Sequence, residues 1–374
     1  MARDVIVVGG GIIGCSIALR LAQSGVKVAV FERGRIGCEA SWAAAGMLSA
    51  QTSASGPGPF FDLCIRSREM YPDLSSELLE LSGIDVEYSD EGALCVALEE
   101  GDEGEVEEWS GWQREAGLGV ERLTASEARS VEPELVESAA GAVFIPGDHQ
   151  VENRLVMEAL AVALKKVGAE VLEERAVDAL AVDRGKVIGV ISRGEKFAAG
   201  VVVVAAGCWS EGLLAPLGLK ARVVPVRGQM VALKGEGPPI TRILHSRECY
   251  LIPRRDGRIL VGATVEHVGF KKAVTAGGLA SLTTSAVQLV PALGHYEVVE
   301  SWSGLRPDTV DHLPILGECG IDGLFLATGH FRNGILLAPI TAQLITTLIL
   351  SHSIPPSLIP FGIQRFDTET NVAV

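Results

Sequence analysis

The stretch DVIVVGGGIIGCSIALRLAQSGVKVAVFE, residues 4–32, decides the fold. It begins with an apolar run typical of a buried parallel strand, continues with a helical pattern that ends at Gly25, and closes with a second apolar strand. Gly9, Gly11 and Gly14 fit the G-x-G-x-x-G pattern between the first strand and the helix. These features predict a βαβ unit that binds a dinucleotide.

Each glycine has a separate task in this pattern. Gly9 permits the tight turn, Gly11 lets backbone amides approach a pyrophosphate, and Gly14 lets the helix lie close to the strand. Glu32 ends the second strand, where its carboxylate can accept hydrogen bonds from the ribose hydroxyls of an adenosine. NAD and FAD share the ADP half, so the pattern alone does not decide between them.

The segment after Glu32 favours FAD. Instead of a further βα unit, RGRIGCEASWAAAGML, residues 33–48, follows. Its small side chains let the backbone lie against a large flat ligand, which suits the extended body of FAD, whereas a tightly packed helix start is the alternative. The small residues are Ala40, Ser41, Ala43, Ala44, Ala45 and Gly46.

Parallel-type elements lie at both ends of the chain, and antiparallel-type elements lie between them. Residues 222–304 contain long strands, whereas residues 323–350 again read as strand and helix. We predict a mixed α/β (α+β) fold, in which a Rossmann-like FAD-binding domain is interrupted by an antiparallel-sheet substrate-binding domain. The FAD-binding domain is assigned to residues 1–85, 140–220 and 303–374, and the substrate-binding domain to residues 86–139 and 221–302.

Local signals predict further helical segments. A helical stretch is expected at about 62–82. Thr124 and Glu127 form a capping-box pattern, and Asn153 is expected to cap the helix that follows it.

Composition and charge exclude several partners. The net charge of −15 and the pI near 5.0 argue against nucleic acid, whose phosphates demand a basic face.

Seven scattered cysteines without a CxxC pair fit reduced thiols in a cytoplasm, and no His, Asp or Glu cluster has metal spacing. Pro339 and polar residues interrupt the uncharged segment 333–364, which favours a buried helix over a membrane span. A soluble, cytoplasmic protein is expected.

Six motifs together resemble the D-amino-acid oxidase superfamily of FAD-dependent oxidoreductases, and within it the glycine oxidases of the thiamine-biosynthesis type. The resemblance runs in order from residue 4 to about 350, and the last four motifs are much more specific than the glycine pattern. The motifs are VIVVGGGIIGCSIALRLAQSG (5–25), FERG (31–34), EASWAAAGML (39–48), CYLIPRRDGRILVGAT (249–264), GLRPDTVDHLPILG (304–317) and ATGHFRNGILLAP (327–339).

The resemblance implies a set of FAD contacts. Ala45, Gly46 and Met47 are expected beside the isoalloxazine, and the backbone of Val177 at the adenine. The run 330–336 is expected under the pyrimidine edge, where helix N-terminal amides favour negative charge. The full set comprises Gly9, Gly11, Ile12, Ile13, Gly14, Glu32, Arg33, Ala40, Ser41, Ala45, Gly46, Met47, Val177, Gly207, His330, Phe331, Arg332, Asn333, Gly334, Ile335 and Leu336.

The resemblance also implies a site for an amino-acid substrate. Arg306 of GLRP and Tyr250 of CYLIPR match the residues that bind the substrate carboxylate, and Arg332 lies nearby. These three are the candidate catalytic residues, and Met47 is expected against the substrate. Arg306 offers a planar bidentate fork that lysine lacks. A surface ion pair is the alternative for Arg306, and Tyr250 equally fits a half-buried sheet tyrosine.

The implied reaction is FAD-dependent oxidation of glycine and small amines such as sarcosine or small D-amino acids. Hydride transfer to flavin N5 gives an imine that hydrolyses to glyoxylate and ammonia, with O2 as acceptor and H2O2 as product. Orientation and charge placement suffice for this step, so no general base is required. His149, His245, Glu266 and His267 are interpreted as surface or core groups. A role in thiamine thiazole biosynthesis and a homotetramer are further implications.

Two other functions stay open at this point. A D-amino-acid or proline-type dehydrogenase would pass electrons to a membrane quinone, which the lack of a basic amphipathic segment disfavours. A non-catalytic flavin-binding module is disfavoured by the complete set of Arg306, Tyr250 and Arg332.

The flavin is predicted to be bound without a covalent link, because GLRPDT (304–309) holds no cysteine where covalent sarcosine oxidases attach theirs. Precipitating the purified yellow protein with acid should release its colour into the supernatant as FAD. Flavin that stays in the pellet would contradict a non-covalent link, and NAD in place of flavin would overturn the cofactor.

Overall fold

Nineteen strands and eleven α-helices lie in the residues that the computed structural model describes, which are 3–98, 103–237 and 239–366. The strands are β1 (Val5–Val8), β2 (Val28–Phe31), β3 (Met47–Leu48), β4 (Ala93–Ala97), β5 (Glu121–Thr124), β6 (Gly141–Ile145), β7 (His149–Gln150), β8 (Glu170–Leu172), β9 (Ala179–Asp183), β10 (Lys186–Ser192), β11 (Glu195–Ala198), β12 (Val201–Val204), β13 (Val224–Lys234), β14 (Ile243–His245), β15 (Tyr250–Pro253), β16 (Arg258–Gly262), β17 (Glu297–Asp308), β18 (Ile315–Glu318) and β19 (Leu324–Thr328). The helices are α1 (Ile12–Gln23), α2 (Ala40–Ala43), α3 (Ala50–Ser53), α4 (Pro59–Glu69), α5 (Tyr71–Ser82), α6 (Glu103–Glu115), α7 (Ala125–Val131), α8 (Asn153–Lys166), α9 (Ser210–Leu214), α10 (Ala276–Leu289) and α11 (Gly334–Ser351).

A six-stranded sheet in the order β18-β19-β12-β1-β2-β8 contains the predicted βαβ unit. All of its pairs are parallel except that of β18 with β19. Val8 lies opposite both Phe31 and Val204, so β1, β2 and β12 end level with one another. The carboxyl edge of these strands is where open α/β sheets bind their ligands.

The glycine turn that follows β1 has no room for side chains. Gly9 has a φ of 111°, and a Cβ there would lie 2.3 Å from the carbonyl oxygen of Ala205. A Cβ on Gly14 would lie 2.0 Å from the carbonyl oxygen of Gly9. The turn and the first turn of α1 therefore pack backbone against backbone, as the sequence pattern predicts.

An eight-stranded sheet in the order β17-β13-β16-β15-β14-β4-β6-β5 forms the second layer. Its longest pair joins β13 to β17, from Val224 opposite Asp308 to Lys234 opposite Glu297. Two segments differ from the assigned domain boundaries. Strand β6, assigned to the FAD-binding domain, pairs with β4 and β5 in this sheet, and β17 continues unbroken across the boundary at 302–303. The rest of the domain division stays a prediction.

The local signals for the helical stretch and for the capping box are confirmed, and the signal for the cap of α8 is wrong. The capping box of Thr124 and Glu127 is present. The stretch 62–82 is two helices, α4 and α5, and Pro72 in the first turn of α5 fits such a break because it has no N–H to donate. Glu152, not Asn153, caps α8, because its carboxylate accepts from the amide of Arg154. Asn153 is the first helical residue, and its side chain is bonded to the Ser41 carbonyl and to Arg254 instead.

Helix α11 is the one helix of the described residues that is long and apolar enough to cross a membrane, but 72% of it is buried inside the protein. It packs against α1 and α4 in the main hydrophobic core. The hydroxyls of Tyr71 and Ser67 donate to the carbonyls of Ile335 and Leu336, respectively. These bonds fix the first turn of α11 against the neighbouring helices.

Candidate active site

A long cavity of about 590 Å³ lies between the two large sheets. One part of its wall follows the carboxyl ends of β1, β2 and β12, and the other part is the face of β13, β15 and β17. The N-termini of α1 and α11 both open onto it. Its size is within the range of cofactor and substrate pockets.

The cavity wall contains every predicted site residue except Gly14 and Leu336. Gly14 lies behind the glycine turn, and the Leu336 carbonyl is bonded to Ser67 in the core. The cavity thus brings the glycine turn, the segment 40–47, Val177 and the run 330–335 together with Tyr250 and Arg306. These residues lie far apart in the sequence, and their grouping is a property of the fold.

Glu32 is fixed at the carboxyl edge of the six-stranded sheet. Its two carboxylate oxygens accept hydrogen bonds from the amides of Gly10 and Gly34, each at 2.7 Å. A carboxylate can accept about four hydrogen bonds, so lone pairs remain for ribose hydroxyls. The amide of Ile12 in the first turn of α1 donates to Ser41 Oγ at 2.9 Å, which ties the helix start to the segment 40–47.

The start of α11 carries positive electrostatic potential towards the cavity. Its first turn contains no acidic residue, and the N-cap residue Asn333 makes no side-chain cap. Such a helix end resembles about half a positive charge and favours an anion. The ring of His330 is buried, lies 3.2 Å from Thr341 Oγ1, and has its pKa lowered to about 3 by that burial, so it adds no charge at neutral pH.

Tyr250 and Arg306 lie on the face of the eight-stranded sheet. The Tyr250 hydroxyl donates to Met230 Sδ at 3.2 Å, and a thioether is a weak acceptor that a carboxylate would readily replace. Arg306 Nη1 donates to the carbonyl of Thr264 at 3.0 Å, and its guanidinium lies directly over Gly228. Both side chains are half-buried and line the cavity.

The guanidinium groups of Arg306 and Arg332 are not neutralised. Within the described ranges, neither forms an ion pair with a carboxylate. Partial burial, and then the positive charge of Arg306, lower the pKa of Arg332. Burial raises the pKa of Tyr250, and the charge of Arg306 opposes that rise. Two like charges at one end of a cavity cost free energy that a bound anion would recover.

His245 was interpreted as a core or surface group, but it lines the cavity. Burial and the charge of Arg332 lower its pKa to about 4, so the ring is neutral at pH 7. Its Nε2 atom and Ser49 Oγ are buried without a hydrogen-bond partner in the part of the chain that the structure describes. The signal missed in the sequence is the tight β14–β15 hairpin, which puts His245 opposite Tyr250.

Glu266, His149 and His267, which were also interpreted as surface or core groups, do not line the cavity. Glu266 is bonded to Arg227 and Gln229, and His149 Nδ1 lies 2.8 Å from the Tyr88 hydroxyl. His267 is not in the cavity wall. Among residues 3–98, 103–237 and 239–366, no group of His, Cys, Asp and Glu is arranged to hold a metal ion.

Comparison with known proteins identifies the family. The family model described as DAO, FAD dependent oxidoreductase, matches residues 4–348. The chain belongs to this family. It is 40% identical over 366 residues to the glycine oxidase of Geobacillus kaustophilus (strain HTA426), with 97% of each chain covered. The crystal structure of glycine oxidase from Geobacillus kaustophilus matches with a TM-score of 0.94 and 39% identity, covering 97% of this chain and 99% of that one.

A second kind of relative is a longer protein, and one part of it is similar to this chain. The bifunctional protein ThiO/ThiG of Synechocystis sp. (strain ATCC 27184 / PCC 6803 / Kazusa) is 40% identical over 378 residues, which cover 99% of this chain and 55% of that protein. The predicted mixed α/β fold, the FAD cofactor and the enzyme class, an FAD-dependent amino-acid oxidase, are confirmed by these matches.

The cavity fits FAD. Its wall offers an α1 N-terminus without an acidic first turn, the fixed Glu32 carboxylate, and the small residues 43–46 that leave space for a flat ring system. The unpartnered atoms of Ser49 and His245 indicate that a polar ligand completes the wall. When bound, FAD supplies a two-electron acceptor to this cavity.

The backbone conformation and its close packing require glycine at position 46. Its φ is 73°, and a Cβ would lie 2.0 Å from the carbonyl oxygen of Val151. Gly46→Ala should lower the free energy of unfolding by about 2 kcal/mol or more and lower the FAD content. Thermal denaturation and flavin absorbance measure both. Gly212→Ala is the control, because Gly212 lines the same cavity with open space around it. Equal effects in both variants would contradict the prediction.

Gly228 leaves room for the guanidinium of Arg306. A Cβ added at Gly228 would lie 2.3 Å from Arg306 Nη2, and a flexible side-chain end can move away. Gly228→Ala should therefore keep the fold and FAD but weaken the binding of a small carboxylate such as acetate by about tenfold. Titration of the flavin spectrum with acetate measures this, again with Gly212→Ala as control. Unchanged acetate affinity would show that Arg306 does not hold the carboxylate.

Proposed function

We propose that this enzyme oxidises glycine and small amines such as sarcosine, with O2 as the electron acceptor. The products are an imine that hydrolyses to glyoxylate and ammonia, and H2O2. Curated relatives named glycine oxidase share 36–40% identity with the chain over nearly its whole length, which supports glycine as substrate. The roles given below to individual residues are part of this proposal.

The main support for this proposal is the positive charge of Arg306 and Arg332, which no carboxylate among the described residues neutralises. A substrate carboxylate that enters the cavity meets two guanidinium groups and the Tyr250 hydroxyl. Arg306 can bind both carboxylate oxygens through its planar fork while Nη1 is oriented by the Thr264 carbonyl. The carboxylate then fixes the position of the α-carbon, and orientation of this kind supplies a large part of the rate acceleration.

Among the described residues, the cavity holds no general base near this position. Three carboxylates line it in the described part of the chain, and none belongs to the eight-stranded sheet. Glu32 is bonded to two amides, Glu39 to Arg33 at 2.8 Å, and Asp178 to the amide of Arg193 at 2.7 Å. His245 is neutral. Departure of the α-hydrogen as a hydride, from a substrate with an unprotonated amine, needs no such base.

Thiamine thiazole biosynthesis is the proposed context of the reaction. The relatives named bifunctional protein ThiO/ThiG join a part similar to this chain to a second part. Such an arrangement supports a role in the same pathway as that second part. A homotetramer and a cytoplasmic location stay predictions.

Two measurements separate this function from the alternatives. Glycine added under nitrogen should bleach the flavin, and air should then restore its colour with release of H2O2. A flavin that glycine does not bleach would favour a non-catalytic module, and bleaching without H2O2 on re-oxidation would favour a quinone-linked dehydrogenase.

Arg306→Ala should lose about 3 kcal/mol of binding to glycine, on the order of a hundredfold, because two charge-assisted hydrogen bonds disappear. FAD content and thermal stability should change little. Arg306→Lys should recover little, because a point charge lacks the planar fork. Steady-state kinetics with glycine and with an N-alkyl glycine ester test this, since the ester lacks the carboxylate. Equal losses for both substrates would move the carboxylate-binding role to Arg332.

A further inference from the structure

The wall segment, residues 45–47, is held from behind by a second part of the chain. Gly46 accepts a hydrogen bond from the amide of Val151 at 2.9 Å, and Met47 pairs with Gln150 in the β3–β7 ladder. The other side of the wall segment faces the cavity, and Met47 packs against the same hydrophobic cluster as Tyr250. A displacement of this segment would therefore alter the shape of the cavity.

Arg254 lies under the wall segment and does not line the cavity. It follows β15, four residues after Tyr250, and is only 5% exposed. Its Nη2 donates to the carbonyl of Ala45 at 2.7 Å, and its Nη1 donates to the carbonyl of Val151 at 2.9 Å. One guanidinium thus binds both chain segments that meet behind the cavity wall.

A buried carboxylate balances the charge of Arg254. Glu152 Oε2 lies 3.2 Å from Arg254 Nε, and both side chains are almost fully buried. Burial lowers the pKa of Arg254, and the charge of Glu152 opposes this. A buried ion pair stabilises a fold little or no more than apolar side chains of similar volume would. Stability alone therefore does not explain the Arg254–Glu152 pair. Geometric definition of the neighbouring wall is such a reason.

We propose that Arg254 is a positioning residue that sets the separation between the wall segment and Tyr250. Arg254 directly follows the strand that carries the substrate-binding phenol, and its guanidinium holds the Ala45 carbonyl, so the two sides of the cavity are linked through residues 250–254. The reaction geometry follows from this separation, and a misplacement of about 1 Å can cost on the order of a hundredfold in rate. The part that concerns substrate oxidation rests on the proposed function.

The variant Arg254→Lys tests the proposal, with Arg258→Lys as a matched control. Lysine keeps the positive charge but cannot donate to two carbonyls in a fixed plane. Arg258 also contacts Glu152, at 3.4 Å, and the hydrogen bonds found among the described residues include none from Arg258 to the wall segment. Arg254→Lys should change the visible circular dichroism of bound FAD and slow the limiting rate of flavin reduction by glycine about tenfold or more, with the Kd for glycine within about threefold. The control should leave the dichroism and the limiting rate within about twofold.

A second variant covers the case in which Arg254→Lys does not fold. Arg254→Gln combined with Glu152→Gln removes both buried charges, so no unpaired ion burdens the fold, and a single amide cannot reproduce the planar fork. The same change in dichroism is expected. Wild-type dichroism in both variants, or a loss of thermal stability without a change in dichroism, would overturn the proposal. Failure of glycine to reduce the wild-type flavin would refute the proposed function instead, since the dichroism needs no substrate.

Discussion

The positive charges of Arg306 and Arg332 have no carboxylate partner in the described part of the chain. The rest of the cavity's architecture depends on holding these two charges in place. Like charges at close range repel, and a flexible site would relax by turning one of them into solvent. Arg306 does not relax in this way because it lies on β17, which is paired with β13 along its whole length, and because the Thr264 carbonyl holds Nη1. The rigid sheet keeps the positive charge of Arg306 at the cavity.

The arginine side of the cavity must also lie at a fixed distance from the FAD side. The two sheets come from different parts of the chain, and buried polar groups fix the segment that lines the cavity between them. Asn153 donates to the carbonyls of Ser41 and Trp42, and Arg254 donates to that of Ala45. Directional hydrogen bonds of this kind define geometry better than apolar packing does, because their strength falls steeply with angle and distance. The segment 41–47 is consequently fixed between the cofactor and substrate sides.

Several features were readable from the sequence because they depend on neighbours along the chain. The βαβ unit needs its glycines, two apolar strands and Glu32 within one short stretch, and the structure has all of them in the expected order. The helical stretch at about 62–82 is also present, as the consecutive helices α4 and α5, whereas the predicted cap of α8 is wrong. Asn153 was a suitable cap by residue type, but its side-chain oxygen accepts from Arg254 Nη2 at 3.4 Å and its side-chain NH2 group donates to the Ser41 carbonyl. The preference of a residue type for a helix cap is overridden where tertiary hydrogen bonds engage its side chain.

The sequence by itself determined the dinucleotide-binding unit, the alternation of parallel and antiparallel regions, and the residue types at the site, because periodicity and short motifs are local properties. Only the tertiary structure decided which of those residues share the cavity. It turned His245 towards it opposite Tyr250, placed Gly228 beneath Arg306, and buried Arg254 against the Ala45 carbonyl. These contacts depend on strand register and on the packing of one sheet against another, and no single stretch of the chain encodes either.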